Sequence, residues 1–169
     1  MANYLERIWP DFKELTRSKR KENKKFFARL DGQTPKRLNE QFHAVNEQVF
    51  AETDCLKCAR CCRATGPLLT KQDIGRISKK QGMKPADFEK QYLRVDDDGD
   101  WVMKSLPCPF LELDTNKCNI YEYAPKACRQ YPHTDHPNMK SILGLTEINI
   151  RHCPAVFEMV ERMKQLAQY

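Results

Sequence analysis

Apolar residues recur at three- and four-residue intervals along most of the chain, the period of helices that bury one face. Tyr4, Leu5, Ile8, Phe12 and Leu15 open such a stripe and Phe26, Phe27 and Leu30 resume it, so residues 3–30 read as helical, with Pro10 as a break or restart. Asp31-Gly32-Gln33-Thr34-Pro35 is a turn. A second helix over 35–52 sets Leu38, Phe42, Val45, Val49 and Phe50 on one side. Thr70-Lys71-Gln72-Asp73 has the form of a capping box with Asp in place of Glu. It opens a helix that carries Ile74 and Ile77 and stops at Gly82. Pro85 suits the first turn of another short helix, through Phe88, Tyr92 and Leu93.

The pattern then changes. Residues 101–121 read as strand-like, with a hairpin pairing 110–113 and 118–121 across the turn Asp114-Thr115-Asn116-Lys117. Asp96–Asp100 is an acidic turn. Its glycine is misplaced for a calcium loop and no glutamate closes it. A short helix follows at 125–130. Ile142, Leu145, Ile148 and Ile150 suggest a strand over 141–150. The chain ends in an amphipathic helix from Pro154, with Val156, Phe157, Val160, Met163 and Leu166 inward. The expected fold is α+β and mostly α-helical: a small metal-stapled domain with a short β-hairpin around a cysteine cluster. Residues 1–37 form a basic helical N-terminal arm, and residues 38–169 the cysteine-cluster metal-binding domain.

Charge changes this picture in one place. The net charge of +6 comes wholly from residues 1–37, which hold 11 Lys and Arg against 5 Asp and Glu; residues 38–169 hold 18 of each sign. Thiolates loaded onto divalent ions would turn that neutral remainder mildly acidic. The run Arg17–Lys25 reads first as a solvated helix face. Nucleic acid, an anionic membrane or an acidic partner are further candidates for residues 13–37. No stretch reaches the ~18 apolar residues of a membrane span. The N-terminus has no apolar signal region, which implies a cytoplasmic, thiol-reducing setting.

Eight cysteines in that setting point to metal ligation or redox chemistry rather than disulfides. Cys55-Leu56-Lys57-Cys58-Ala59-Arg60-Cys61-Cys62 is the strongest signal. Two-residue gaps let thiolates converge while intervening amides face the sulfurs, as in zinc knuckles and iron–sulfur proteins. Adjacent Cys61 and Cys62 are expected to point apart and so to serve different centres. Cys108, Cys118, Cys128 and Cys153 are the remote candidates, and eight thiolates suit one or two centres. Lys57, Arg60, Arg63 and Arg129 flank the cysteines, where cations would favour thiolates. His133, His136 and His152 lie near Cys128 and Cys153 and are secondary candidates; His43 on its helix is ordinary.

The blocks Cys55-x-x-Cys58-x-x-Cys61-Cys62, Cys108-Pro109-Phe110-Leu111, Cys118-x-Ile120-Tyr121 and Pro125-x-x-Cys128-Arg129-x-Tyr131-Pro132 occur in order. Together they resemble the YkgJ-like cysteine-cluster family of zinc- or iron-chelating domains, from about Cys55 to Cys153. The start of the helix at Thr70-x-x-Asp73-Ile74 is similar too. The chain departs from that pattern at Ala59, where the family commonly has Gly, and at Ala124, where it has Arg before Pro. Neither change removes a ligand. The resemblance implies metal chelation with zinc or iron open, and one branch includes flagellin lysine methylases of longer chain. No G-x-G-x-x-G, Walker A, H-E-x-x-H or nucleophile-elbow motif accompanies the cysteines.

Three readings follow. An iron–sulfur protein would transfer electrons or assist a redox reaction with a redox partner. A zinc-stabilised binding module would use the basic arm to contact a partner. A metalloenzyme related to protein lysine methylation would need an open ligand position. The three-cysteine run with remote cysteines tips the balance toward an iron–sulfur cluster over Zn2+.

Overall fold

The computed structural model describes residues 11–167, so the part of the first helix expected over 3–10 lies outside the described residues. In chain order the helices begin with α1 (Phe12–Ser18), α2 (Arg20–Asp31), α3 (Pro35–Ala51), α4 (Cys55–Cys58) and α5 (Arg60–Ala64). Strand β1 (Leu68–Leu69) precedes α6 (Lys71–Lys80), α7 (Pro85–Tyr92), β2 (Leu93–Val95) and β3 (Trp101–Met103). A 3₁₀ turn (Tyr121–Tyr123), α8 (Lys126–Gln130), a second 3₁₀ turn (Met139–Ile142), α9 (Leu143–Asn149) and α10 (Pro154–Leu166) complete the order. The architecture is α+β and mostly helical. None of the described helices is long and apolar enough to cross a membrane. Two compact units form: the chain up to Asp54 together with Pro132 onward, and Cys55–Tyr131.

The first unit is all helix. Thr34 caps α3 by accepting from the Arg37 amide, and Pro35 occupies the first turn, where its missing N–H costs nothing. Leu38, Phe42, Val45 and Val49 then fall on one face of α3 and are buried against Val156, Phe157, Val160 and Met163 of α10. Phe12, Phe26, Phe27 and Leu30 belong to the same core, and Phe12 meets Phe157 edge-on at 6.0 Å. The basic stretch therefore shares its apolar face with α3 and α10. Lys164 is 5% exposed and is neutralised by Glu161 at 2.5 Å and Glu22 at 2.7 Å. Leu166, expected inward, is exposed.

Residues 143–149 form helix α9, not the expected strand. Its inward positions include Thr146 and Asn149, whose polar groups are satisfied locally: Thr146 Oγ1 donates to Ile142 O and Asn149 Nδ2 to Pro132 O. Leu145 and Ile148 face outward instead. An apolar pattern assigns such a helix to the wrong side.

The second unit wraps two helices on a small sheet. Its strand order is β1-β3-β2, antiparallel, with Leu68 opposite Val102 and Arg94 opposite Val102. Asp96 Oδ1 accepts from the Asp98 and Asp100 amides, which explains the acidic turn between β2 and β3. Phe88, fully buried on α7, stacks on Phe110 at 6.2 Å, and Tyr92 lies 5.0 Å from both rings. Cys108 and Cys118 pack against this core. The hairpin expected over 110–121 is reduced to a Leu111–Cys118 bridge. Two backbone bonds close it, Glu112 N–H to Lys117 O and Asn119 N–H to Phe110 O, both 2.8 Å.

Truncating Phe88→Ala is expected to destabilise the chain by about 3–5 kcal/mol, read as a lower urea midpoint. Hydrogen bonds from Lys164 and then Lys19 hold the Glu22 carboxyl below its usual range. A depressed pKa contributes stability above the ordinary glutamate range and loses it as pH falls through the lowered value. Glu22→Gln should therefore flatten the acid limb of a stability–pH curve below about pH 4 and leave stability near pH 7 only slightly lower.

Candidate metal centre

Seven of the eight cysteines lie in the second unit, five of them on helices too short to hold themselves and Cys108 and Cys118 outside any helix. Helix α4 has 4 residues and α5 has 5, too few for an isolated helix. They are joined at Ala59, which is buried and left-handed (φ 43°, ψ 17°). That single residue turns the chain between Cys58 and Cys61. A Cβ is disfavoured in this conformation, which glycine would adopt without that cost.

Three tethers then gather the remote cysteines. The Cys108 amide donates to Cys62 O at 2.8 Å. Arg63 donates to Leu113 O at 2.9 Å and Asn116 Oδ1 at 2.7 Å, fixing the turn that leads into Cys118. Asp73 accepts from the Lys126 amide at 3.1 Å, at the start of the helix that carries Cys128. The flanking cations foreseen from sequence have distinct uses. Arg63 braces backbone and favours the Cys62 thiolate, Arg60 favours that of Cys58, and Arg129 caps Ala124 O at 2.7 Å.

Cys62 differs from its neighbours in that its ionised form is favoured. A hydrogen bond from Cys61 lowers its pKa to about 7 against the opposing effect of burial, helped by its own amide and by Arg63. The Cys61 and Cys62 sulfurs are 3.9 Å apart, so these neighbours converge rather than diverge. Burial raises the pKa of Cys58, Cys108 and Cys118, and the charge of Cys62 adds to it in each case. Cys128 is pushed up to about 12, first by burial of its thiol and then by Cys62, Cys108, Cys118 and Asp73; the residue as a whole is exposed. Burial chiefly, with the charge of Cys62 added, favours the protonated form of these neighbours.

The donor chemistry fits a thiophilic ion. Residues 55–131 contain no histidine, and the Cys61–Cys62 separation is close to the ~3.8 Å edge of a tetrahedron with zinc–sulfur bonds of ~2.3 Å. Among the described residues, however, no group of three or more His, Cys, Asp or Glu side chains is arranged to hold one ion. The thiols share a neighbourhood without converging on a point. Cys55 is exposed at the start of α4. Cys153, in the first unit, precedes Pro154 at the start of α10 and packs against that unit's apolar core. His43, His133, His136 and His152 also belong to the first unit. His43 Nε2 lies 3.2 Å from His136 O.

Sequence reading missed the part played by Asp73 and Arg76. Asp73 is 1% exposed and takes five contacts: the Thr70 amide (3.0 Å) and hydroxyl (2.7 Å), Arg76 (2.6 Å), the Lys126 amide (3.1 Å), and its own amide to Thr70 Oγ1 (3.1 Å). Burial alone would raise its pKa, but bonds from Thr70, Arg76 and Lys126 prevail and hold it low. The signal available in sequence was an aspartate at the third capping-box position with arginine three residues on.

A family model, CxxCxxCC, described as "Putative zinc- or iron-chelating domain", matches residues 54–154. No solved structure matches the chain.

The left-handed Ala59 costs about 1–2 kcal/mol, against roughly 0.8 kcal/mol for burying its methyl. Ala59→Gly should therefore stabilise the chain by up to about 1 kcal/mol, read as a higher urea midpoint at unchanged slope.

Proposed function

The chain belongs to the CxxCxxCC family of zinc- or iron-chelating domains, and we propose that residues 55–131 chelate their metal through thiolates alone, as an iron–sulfur centre with an electron-transfer or redox role. One observation carries the reading: seven thiols and no histidine share this unit, and the charge of Cys62 reaches Cys58, Cys108, Cys118 and Cys128. Seven exceeds the four ligands of one closed zinc site, and the Cys55, Cys58, Cys61 spacing with remote cysteines suits a cluster. Backbone amides of Arg60, Phe110 and Ile120 donate to the sulfurs of Cys58, Cys108 and Cys118. Such N–H to sulfur bonds stabilise the electron-rich state and tune its potential.

The ligands are drawn from Cys55, Cys58, Cys61, Cys62, Cys108, Cys118 and Cys128. Cys153 sits in the environment of a packing cysteine, a small apolar side chain against a core. A second reading, a zinc-stabilised binding module, is favoured by the 3.9 Å between Cys61 and Cys62. In that case metal binding and folding of the unit are one event.

Protein purified without oxygen should show a broad absorption band near ~400 nm together with iron and acid-labile sulfide. Cys62→Ser should lose the band and Cys153→Ser should keep it. A colourless protein with about one or two zinc ions per chain would transfer the assignment to the zinc reading. Eight freely reactive thiols and no metal would refute both.

A further inference from the structure

Helices α6 and α8 are separated by more than forty residues of chain, yet one carboxylate serves the first turn of both. Asp73 Oδ2 takes the Thr70 amide and hydroxyl, closing the capping box of α6. Its Oδ1 takes Arg76 Nη2 and the amide of Lys126, the first residue of α8. Helix α8 has no side-chain cap of its own. The Lys126 N–H is one of the donors that a helix start leaves without an intrahelical partner. Arg76 extends the clamp by donating to Ala124 O at 2.9 Å and Tyr123 O at 3.3 Å, and Arg129 donates to the same Ala124 oxygen. The Ala124–Pro125 elbow is therefore gripped from two sides. Two residues beyond the captured amide stands Cys128, on a helix of 5 residues that propensity alone would not hold.

We propose that Asp73 is a positioning residue for the metal centre: through the Lys126 amide it sets where Cys128 stands relative to Cys62, Cys108 and Cys118. This rests on the thiolate reading given above. Aspartate rather than the glutamate usual at this place in a capping box follows from the double duty. The shorter side chain, almost wholly buried, reaches the Thr70 amide and still presents its other oxygen to Lys126. Groups that orient a ligand in this way are worth roughly 10–100-fold in metal affinity.

Lys126→Pro isolates the link. Proline is well suited to the first position of a helix, the Lys126 side chain is exposed, and the change removes the α8 N–H that Asp73 accepts while leaving its bonds from Thr70 and Arg76. The probe is Co(II), titrated under reducing conditions against a competing chelator, with affinity and the intensity of the sulfur-to-cobalt charge-transfer band as readouts. Lys126→Pro should bind Co(II) roughly 10-fold more weakly, with reduced band intensity as one thiolate drops out, at an unchanged urea midpoint for the metal-free chain. Asp73→Asn should weaken binding by roughly 10–100-fold. Wild-type affinity and band intensity in both variants would overturn the positioning role. Failure of the wild-type chain to take up Co(II) would instead remove the thiolate reading beneath it.

Discussion

Like charges brought together in a partly desolvated space repel, and the second unit is organised around that constraint. Burial first, and the charge of Cys62 after it, holds the thiols of Cys58, Cys108, Cys118 and Cys128 above their ordinary range, while Cys62 is the one thiol whose ionised form is favoured. The apolar core of Phe88, Phe110 and Ile120 gives Cys108 and Cys118 a fixed backing. Its side chains carry no positive charge, and only the backbone amides of Phe110, Leu111 and Ile120 ease ionisation of the two sulfurs. A thiophilic cation would offer both compensation and direction to thiols so placed.

The scaffold has to hold that set with little regular structure. Helices of four or five residues carry Cys55, Cys58, Cys61, Cys62 and Cys128, a loop and a single bridge carry Cys108 and Cys118, and polar tethers tie the remote segments in. The tethers differ in kind. One is backbone to backbone, one is an arginine bridging to a turn, and one is a buried carboxylate shared between helices. A left-handed alanine completes the arrangement at a local cost the surrounding structure sustains.

Much of the fold was legible because local chemistry and tertiary burial agree at those points. Thr34-Pro35, Thr70 with Asp73, and Pro85 each mark a helix start by the hydrogen bonds or fixed φ they supply, and the helices begin there. The failures have a common cause. In α9 the inward face carries Thr146 and Asn149, so polarity and burial point in opposite directions. Over 110–121 the turn forms around Asn116 at φ 58°, but the flanking residues are spent on packing the core and presenting Cys118, leaving a single bridge. The spacing of Cys55, Cys58, Cys61 and Cys62 singles out the cluster in the sequence. The thiols' shared dependence on Cys62 was not legible there, because it arises from loops distant in sequence. Asp73 was visible as a cap, while its second partner, the Lys126 amide, carries no side-chain signature at all.

The chain path has a consequence for the order in which the protein can mature. The first unit is interrupted: its helices α1 to α3 come before residues 55–131, and α9 and α10 come after them. Emerging from the ribosome, the cysteine unit is complete while α10, which closes the apolar core over α3, is still unmade. Seven of the eight thiols are thus synthesised together before the helical unit can finish folding. A chain arrested at that stage would expose the α3 face of Leu38, Phe42, Val45 and Val49, a surface that quality control reads as unfinished.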